Sequence, residues 1–181
     1  MTDIYALAND LLAALLPGCV RAEIAGSIRR GKVNPKDIEF VAIQRFSVTE
    51  IYDLFQNKIG EEKQGHLDTV LFDLIRAGEW EFDPGLIRNA KKYTRLRHRS
   101  ERNYAGDLIA CDLFLITARS WGAQFTIRTG PGDFSQAMVT RAKYLRMFVD
   151  GGLLHNHQRQ YKRNPITSAD VPLPCEKGDC C

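Results

Sequence analysis

No apolar stretch in this chain is long enough to span a bilayer, which excludes a transmembrane helix. The start of the chain has acidic Asp3 and no basic region before an apolar run, which argues against a secretory signal. There is no internal repeat and no low-complexity stretch, so a repeat architecture is excluded. Cysteine is scarce, with five residues, and the late cluster Cys175, Cys180 and Cys181 with His155 and His157 matches no familiar zinc spacing. Free thiols are the plainer reading, and a cytoplasmic location, where thiols stay reduced, is the expectation. Net charge is only +3, so overall charge says little about partners.

What remains is ordinary globular material. The 181 residues allow one domain or two small subdomains with a real core. The distribution of charge is more informative than its sum. Arg88, Lys91, Lys92, Arg95, Arg97, Arg99 and Arg102 are opposed only by Glu101. A second basic group comprises Arg141, Lys143, Arg146, Arg159, Lys162 and Arg163. Such patches suit a polyanion, although charge alone is equally met by a solvated face.

Spacing predicts the elements. Asp3 or Thr2 caps a helix with Ile4, Leu7, Ala8, Leu11, Leu12, Leu15 and Leu16 on one face, ended by Pro17-Gly18. Cys19 to Ile24 and Asp37 to Ile43 read as strands. Ser47-x-x-Glu50 reads as a capping box opening a helix that turns Ile51, Leu54, Phe55 and Ile59 inward. His66 to Ala77 reads as a helix, Tyr93 to Arg99 as a basic strand and Leu108 to Ile116 as an apolar strand. Trp121 to Arg128 and Asp133 to Phe148 read as helices, followed by a small hairpin through Asn164. Trp80 and Trp121 are expected to pack, His98 to sit on the surface and Cys111 to be a core thiol.

Chemistry concentrates in Gly26-Ser27-Ile28-Arg29-Arg30-Gly31 and in Asp37-Ile38-Glu39. On a strand, Asp37 and Glu39 project side by side. Two anions held that close repel, and a divalent cation is the usual reason to hold them. Asp112 is a single acid in the apolar run Ala110 to Ile116 and needs a cation, a metal or solvent. In a strand beside Asp37 and Glu39 it completes a carboxylate triad; otherwise it faces water or pairs with a nearby arginine. Ser27, the turn N–H groups and Arg30 form a phosphate cradle, and Gly26 lets the backbone approach it. Metal carboxylates with a phosphate cradle are the parts of phosphoryl or nucleotidyl transfer.

Gly26-Ser27-x-Arg29-Arg30-Gly31 followed by Asp37-x-Glu39 resembles the signature of X-family DNA polymerases, within the β-type nucleotidyltransferase superfamily. The run Ile127 to Met138 resembles the family's Thr-Gly turn and following helix, and Gly151-Gly152-Leu153-Leu154 resembles the start of its thumb hairpin. The resemblance spans residues 4 to 157 in order and is nearest to the short palm-and-thumb forms of phages and large DNA viruses. It implies an α+β fold: a palm with a mixed sheet flanked by helices over residues 1–118, and a small thumb-like subdomain over 119–181 whose end is expected to be degenerate or truncated. It implies Asp37, Glu39 and Asp112 as catalytic metal ligands for two Mg²⁺ ions, which Mn²⁺ can replace. Gly26, Ser27, Arg30, Arg128, Thr129, Gly130 and Phe134 would bind nucleotide; Lys91, Lys92, Arg95 and Arg97 would bind DNA. The implied function is a monomeric DNA polymerase that uses dNTPs and primer-template or gapped DNA in repair, in a host cytoplasm if phage or viral.

Departures from the pattern leave rivals open. Glu39 stands where the family has Asp, Ile127-Arg128 replaces an aromatic pair, and Ala110 replaces an arginine before the third carboxylate. No stretch is left for a lyase domain or for helix-hairpin-helix fingers, so short-footprint DNA binding is expected. The alternatives are a nucleotidyltransferase with a tRNA, protein or small-molecule acceptor, and a catalytically inactive DNA-binding remnant.

Overall fold

The computed structural model describes residues 3–84 and 92–144, together with the backbone of 147–150 and 153–156. The chain divides into two units, Met1–Ile116 and Thr117–Cys181. Among the described residues no helix is long and apolar enough to cross a membrane.

The first unit is mixed α+β. Helix α1 (Ile4–Leu15) starts at Asp3, whose carboxylate accepts from the N–H groups of Tyr5 and Ala6. Ile4, Ala8, Leu11 and Leu15 are its buried stripe, at helical spacing. A 3₁₀ turn, Leu16–Gly18, leads into β1 (Cys19–Ile24). A short helix α2 (Gly26–Arg29) and a loop precede β2 (Asp37–Gln44). Next come β3 (Phe46–Tyr52), β4 (Lys58–Gly65), α3 (His66–Ala77), β5 (Trp80–Phe82), β6 (Tyr93–Arg102) and β7 (Leu108–Leu115).

Five strands form one sheet in the order β1-β2-β7-β6-β5. The β2–β7 pair is parallel and the other pairs are antiparallel, so the sheet is mixed. Strand alternation sorts its two faces. Ile38, Phe40, Ala42, Leu96, Cys111 and Leu113 turn to one face and pack with the buried stripe of α1 and with Leu67 and Leu71 of α3. Each Leu, Ile or Phe among them contributes roughly 1.5–3 kcal/mol when fully buried. The polar members of the same strands turn to the opposite face, where the candidate site lies.

Three local expectations are corrected. Residues 46–65 form a two-stranded hairpin, not a helix. Phe46, Val48, Thr49, Ile51 and Tyr52 are aromatic or β-branched and suit a pleated ribbon better than a helix. The Asp53 carboxylate organises the turn by accepting from the N–H groups of Phe55 and Asn57, and Gln56 adopts φ +62. Leu54 and Phe55, expected inside, stand in solvent at the tip. His98 is buried, not on the surface. Its ring meets Trp80 edge-on at 4.8 Å, and Nδ1 accepts from the N–H groups of Ser100 and Glu101.

The third correction falls in the second unit, which contains α4 (Trp121–Thr129), α5 (Gly132–Tyr144), and the antiparallel strands β8 (Met147–Asp150) and β9 (Leu153–Asn156). Helix α5 ends at Tyr144 and does not reach Phe148, which lies in β8. Trp121 stacks on Phe125 with ring centroids 5.3 Å apart.

Candidate functional site

The polar face of the sheet is built from rows set by register. Glu39 of β2, Asp112 of β7 and Arg95 of β6 are successive Cα partners across three neighbouring strands. One step along, Asp37, Ala110 and Arg97 form the next row, with Glu81 of β5 beyond Arg97. Asp37 and Glu39 therefore share a face, as the strand argument requires, and Glu39 is beside Asp112. Asp37 and Glu39 are half-buried, whereas Asp112 is 6% exposed.

Asp112 is fully engaged. Arg95 grips it as a fork, with Nε 2.5 Å from Oδ1 and Nη2 2.8 Å from Oδ2. The Tyr93 hydroxyl also donates to Oδ1. The pairing holds the Arg95 guanidinium well above its ordinary pKa. Burial, reinforced by the bond to Asp112, pushes the Tyr93 phenol up to about 12. Of the partners foreseen for Asp112, the structure shows the arginine. Tyr93, which sequence reasoning missed, and Arg95 are i and i+2 on β6 and so face the same way.

The turn at Gly26 closes on the same row. Gly26 has φ +60, and its Cα lies against the Glu39 carboxylate. The Ala25 N–H donates to the Glu39 carbonyl at 2.8 Å, stitching the turn to β2. Ser27 Oγ is buried with no hydrogen-bond partner among the described residues. A hydroxyl in that state suits an acceptor or donor brought by a ligand. Arg30 ends α2 and is exposed; Arg29 reaches back to Glu23 at 3.2 Å. Asn103, also unforeseen, donates from Nδ2 to the carbonyl of Lys36, next to Asp37, at 3.0 Å. Its amide oxygen meanwhile accepts from the N–H groups of Ala105 and Asp107 in the β6–β7 turn.

In type, hard oxygen donors in adjacent rows suit Mg²⁺ or Mn²⁺. As a preformed three-ligand site they do not: the described residues hold no such metal-binding group, and both Asp112 oxygens are taken by Arg95. Asp37 lies one step along the same face from the row of Glu39 and Asp112.

The residues expected to grip DNA are differently placed. Lys91 lies outside the described residues, and Lys92 is exposed. Arg95 serves Asp112, and Arg97 is tied to Glu81 at 2.7 Å. The basic strand is thus largely compensated by its own carboxylates. In the second unit, Arg128 and Thr129 end α4 and Gly130 follows. The Phe134 ring packs on Gly130, where a Cβ would come 2.5 Å from Cδ1. Ser135 Oγ donates to the Ile127 carbonyl at 2.8 Å, fixing the turn between α4 and α5. Gly151 and Gly152 and the Cys175–Cys181 tail lie outside the described residues. No protein-family model matches this chain, and no curated protein matches it.

Proposed function

We propose that the chain is a minimal X-family-like DNA polymerase, with a palm and a thumb, that adds nucleotides to a primer 3′-hydroxyl in gap filling or repair. The observation that carries the reading is the row Glu39–Asp112 with Asp37 one step away and the Gly26-Ser27 turn closed against Glu39. Carboxylates gathered on one sheet face against a glycine turn, whose Ser27 Oγ is buried without a partner among the described residues, suit a triphosphate and its cations better than they suit a folded core.

Asp37 and Glu39 would hold divalent cations. Mg²⁺ or Mn²⁺, when bound, would neutralise the triphosphate and lower the pKa of the 3′-hydroxyl. Ser27 Oγ and the backbone of the turn would receive the outer phosphates, with Arg30 adding a charge-assisted bond. Asp112, once released from Arg95, would orient the hydroxyl and accept its proton. Lys92 would contribute to tracking the DNA backbone.

The test is extension of a labelled primer, alone and at a one-nucleotide gap, with each dNTP and rNTP in Mg²⁺ and in Mn²⁺. Extension that disappears in Asp37→Ala supports the reading; no extension on any DNA overturns it. The fork between Arg95 and Asp112 favours one second reading, a DNA-binding protein that no longer catalyses. That reading requires DNA binding without metal-dependent turnover.

A further inference from the structure

We propose that Arg95 is an exchangeable counter-ion on Asp112, so that nucleic-acid phosphate and a divalent cation load this site cooperatively. The inference rests on the nucleotidyl-transfer reading and adds its regulation. Asp112 is 6% exposed, and a buried carboxylate is costly to leave uncompensated. Arg95 supplies that compensation now, through two hydrogen bonds. Glu39, Asp112 and Arg95 occupy one row, so a cation shared by Glu39 and Asp112 would share Asp112 with a guanidinium. The two positive groups therefore exclude each other.

Arg95 also has somewhere else to go. Its side chain is 31% exposed, and a guanidinium pairs with phosphate in the same forked geometry that it uses on carboxylate. Its neighbours on the strand do not free another cation cheaply, because Arg97 and Arg99 are held by Glu81. A phosphate drawing Arg95 away exposes Asp112, and a cation on Asp112 releases Arg95. Each ligand thus strengthens the other by the same factor.

The experiment measures Mn²⁺ affinity by electron paramagnetic resonance of the free ion, with and without a single-stranded DNA oligonucleotide whose own Mn²⁺ uptake is subtracted. Wild type should bind Mn²⁺ more tightly with DNA, on the order of 5- to 150-fold, the usual range of coupling between sites. Arg95→Gln should bind Mn²⁺ tightly without DNA and gain nothing from it. If that variant does not fold, Arg95→Lys, a single-donor counter-ion, should bind Mn²⁺ more tightly than wild type without DNA. Equal affinities in wild type and variant, a DNA effect that survives in Arg95→Gln, or no Mn²⁺ binding by any of them would each overturn the proposal. Cooperative Mn²⁺ and DNA binding in a protein that extends no primer would keep the exchange and discard the polymerase.

Discussion

The Glu39 carboxylate lies over the Cα of Gly26, so closely that a Cβ built there would come 1.7 Å from Oε2. Gly26 also has φ +60, a conformation costing roughly 1–2 kcal/mol for a residue with a Cβ. Gly26→Ala should therefore both strain the turn and push Glu39 aside. Gly31→Ala is the control: φ is +69 but nothing lies within 4 Å, so only the backbone cost remains. Both should lower Tm by roughly 2–4 °C per kcal/mol, but only Gly26→Ala should abolish turnover. Glu39→Asp, one methylene shorter, should itself retain Mg²⁺-dependent turnover and restore part of the activity that Gly26→Ala loses. Strict additivity in that double-mutant cycle would show that the two residues do not act through contact.

The ion pair of Asp112 and Arg95 can be weighed in the same way. Asp112→Asn should destabilise the first unit by about 1–3 kcal/mol, less than a fully buried pair loses, because part of Arg95 meets solvent. With Arg95→Gln it should give a coupling energy above about 0.5 kcal/mol in urea unfolding. A smaller coupling would mean that solvent already screens the pair. In turnover, Asp112→Asn should be inactive while still folded.

The hairpin of β3 and β4 makes a prediction that the helix reading would not. Leu54 is 99% and Phe55 84% exposed. Replacing both with Ser should change stability by no more than about 0.5 kcal/mol for each residue. Leu67→Ala or Leu71→Ala, in the core beneath α1, should cost about 2–5 kcal/mol. Thermal melts of the variants distinguish the two architectures directly.

How much of this was legible depended on whether a signal was local. The stripe of α1, the alternation in β2 and the apolar run of β7 are local, and each element appears where its pattern places it. Strand alternation also puts Asp37 and Glu39 on one face without any knowledge of neighbours. The row Glu39–Asp112–Arg95 is different, because register between distant strands decides it. The identity of the arginine that meets Asp112 therefore could not be read from the chain. Residues 46–65 misled for another reason. Ser47 and Glu50 mimic a capping box, and Ile51, Leu54, Phe55 and Ile59 happen to fall at helical spacing. The β-branched run and the Asp53 turn were the stronger signals. His98 reads as surface between two arginines, yet Trp80 from the neighbouring strand covers it.

If DNA follows the basic strand, its phosphates compete with Glu81 for Arg97. Glu81→Gln should then tighten oligonucleotide binding, and Lys92→Ala should weaken it with a salt slope smaller by about 1. Titrations at several salt concentrations measure both. An unchanged slope in Lys92→Ala, together with unchanged affinity in Glu81→Gln, would place DNA away from β6.

Alkaline pH offers a probe of the Tyr93–Asp112 bond that is independent of activity. Burial first, and then the bond to Asp112, raise the Tyr93 phenol from 10.0 to about 12. Below pH 10 folded and unfolded chains both keep the proton, and the bond contributes in full. Between 10 and about 12 the unfolded chain gives up the proton first, so stability must fall as pH rises. Cys19, pushed from 9.0 to about 11 by burial, acts in the same direction over an earlier window. The Tyr93 contribution is therefore isolated only by difference. Tyr93→Phe should be less stable than wild type by about 1 kcal/mol near pH 9, having lost one hydrogen bond. It should then lose less stability with rising pH, so that the two curves converge between pH 10 and about 12. Urea unfolding of both proteins across that range measures the gap. Parallel curves would mean that the phenol titrates alike in both states, and that the bond to Asp112 does not hold in solution.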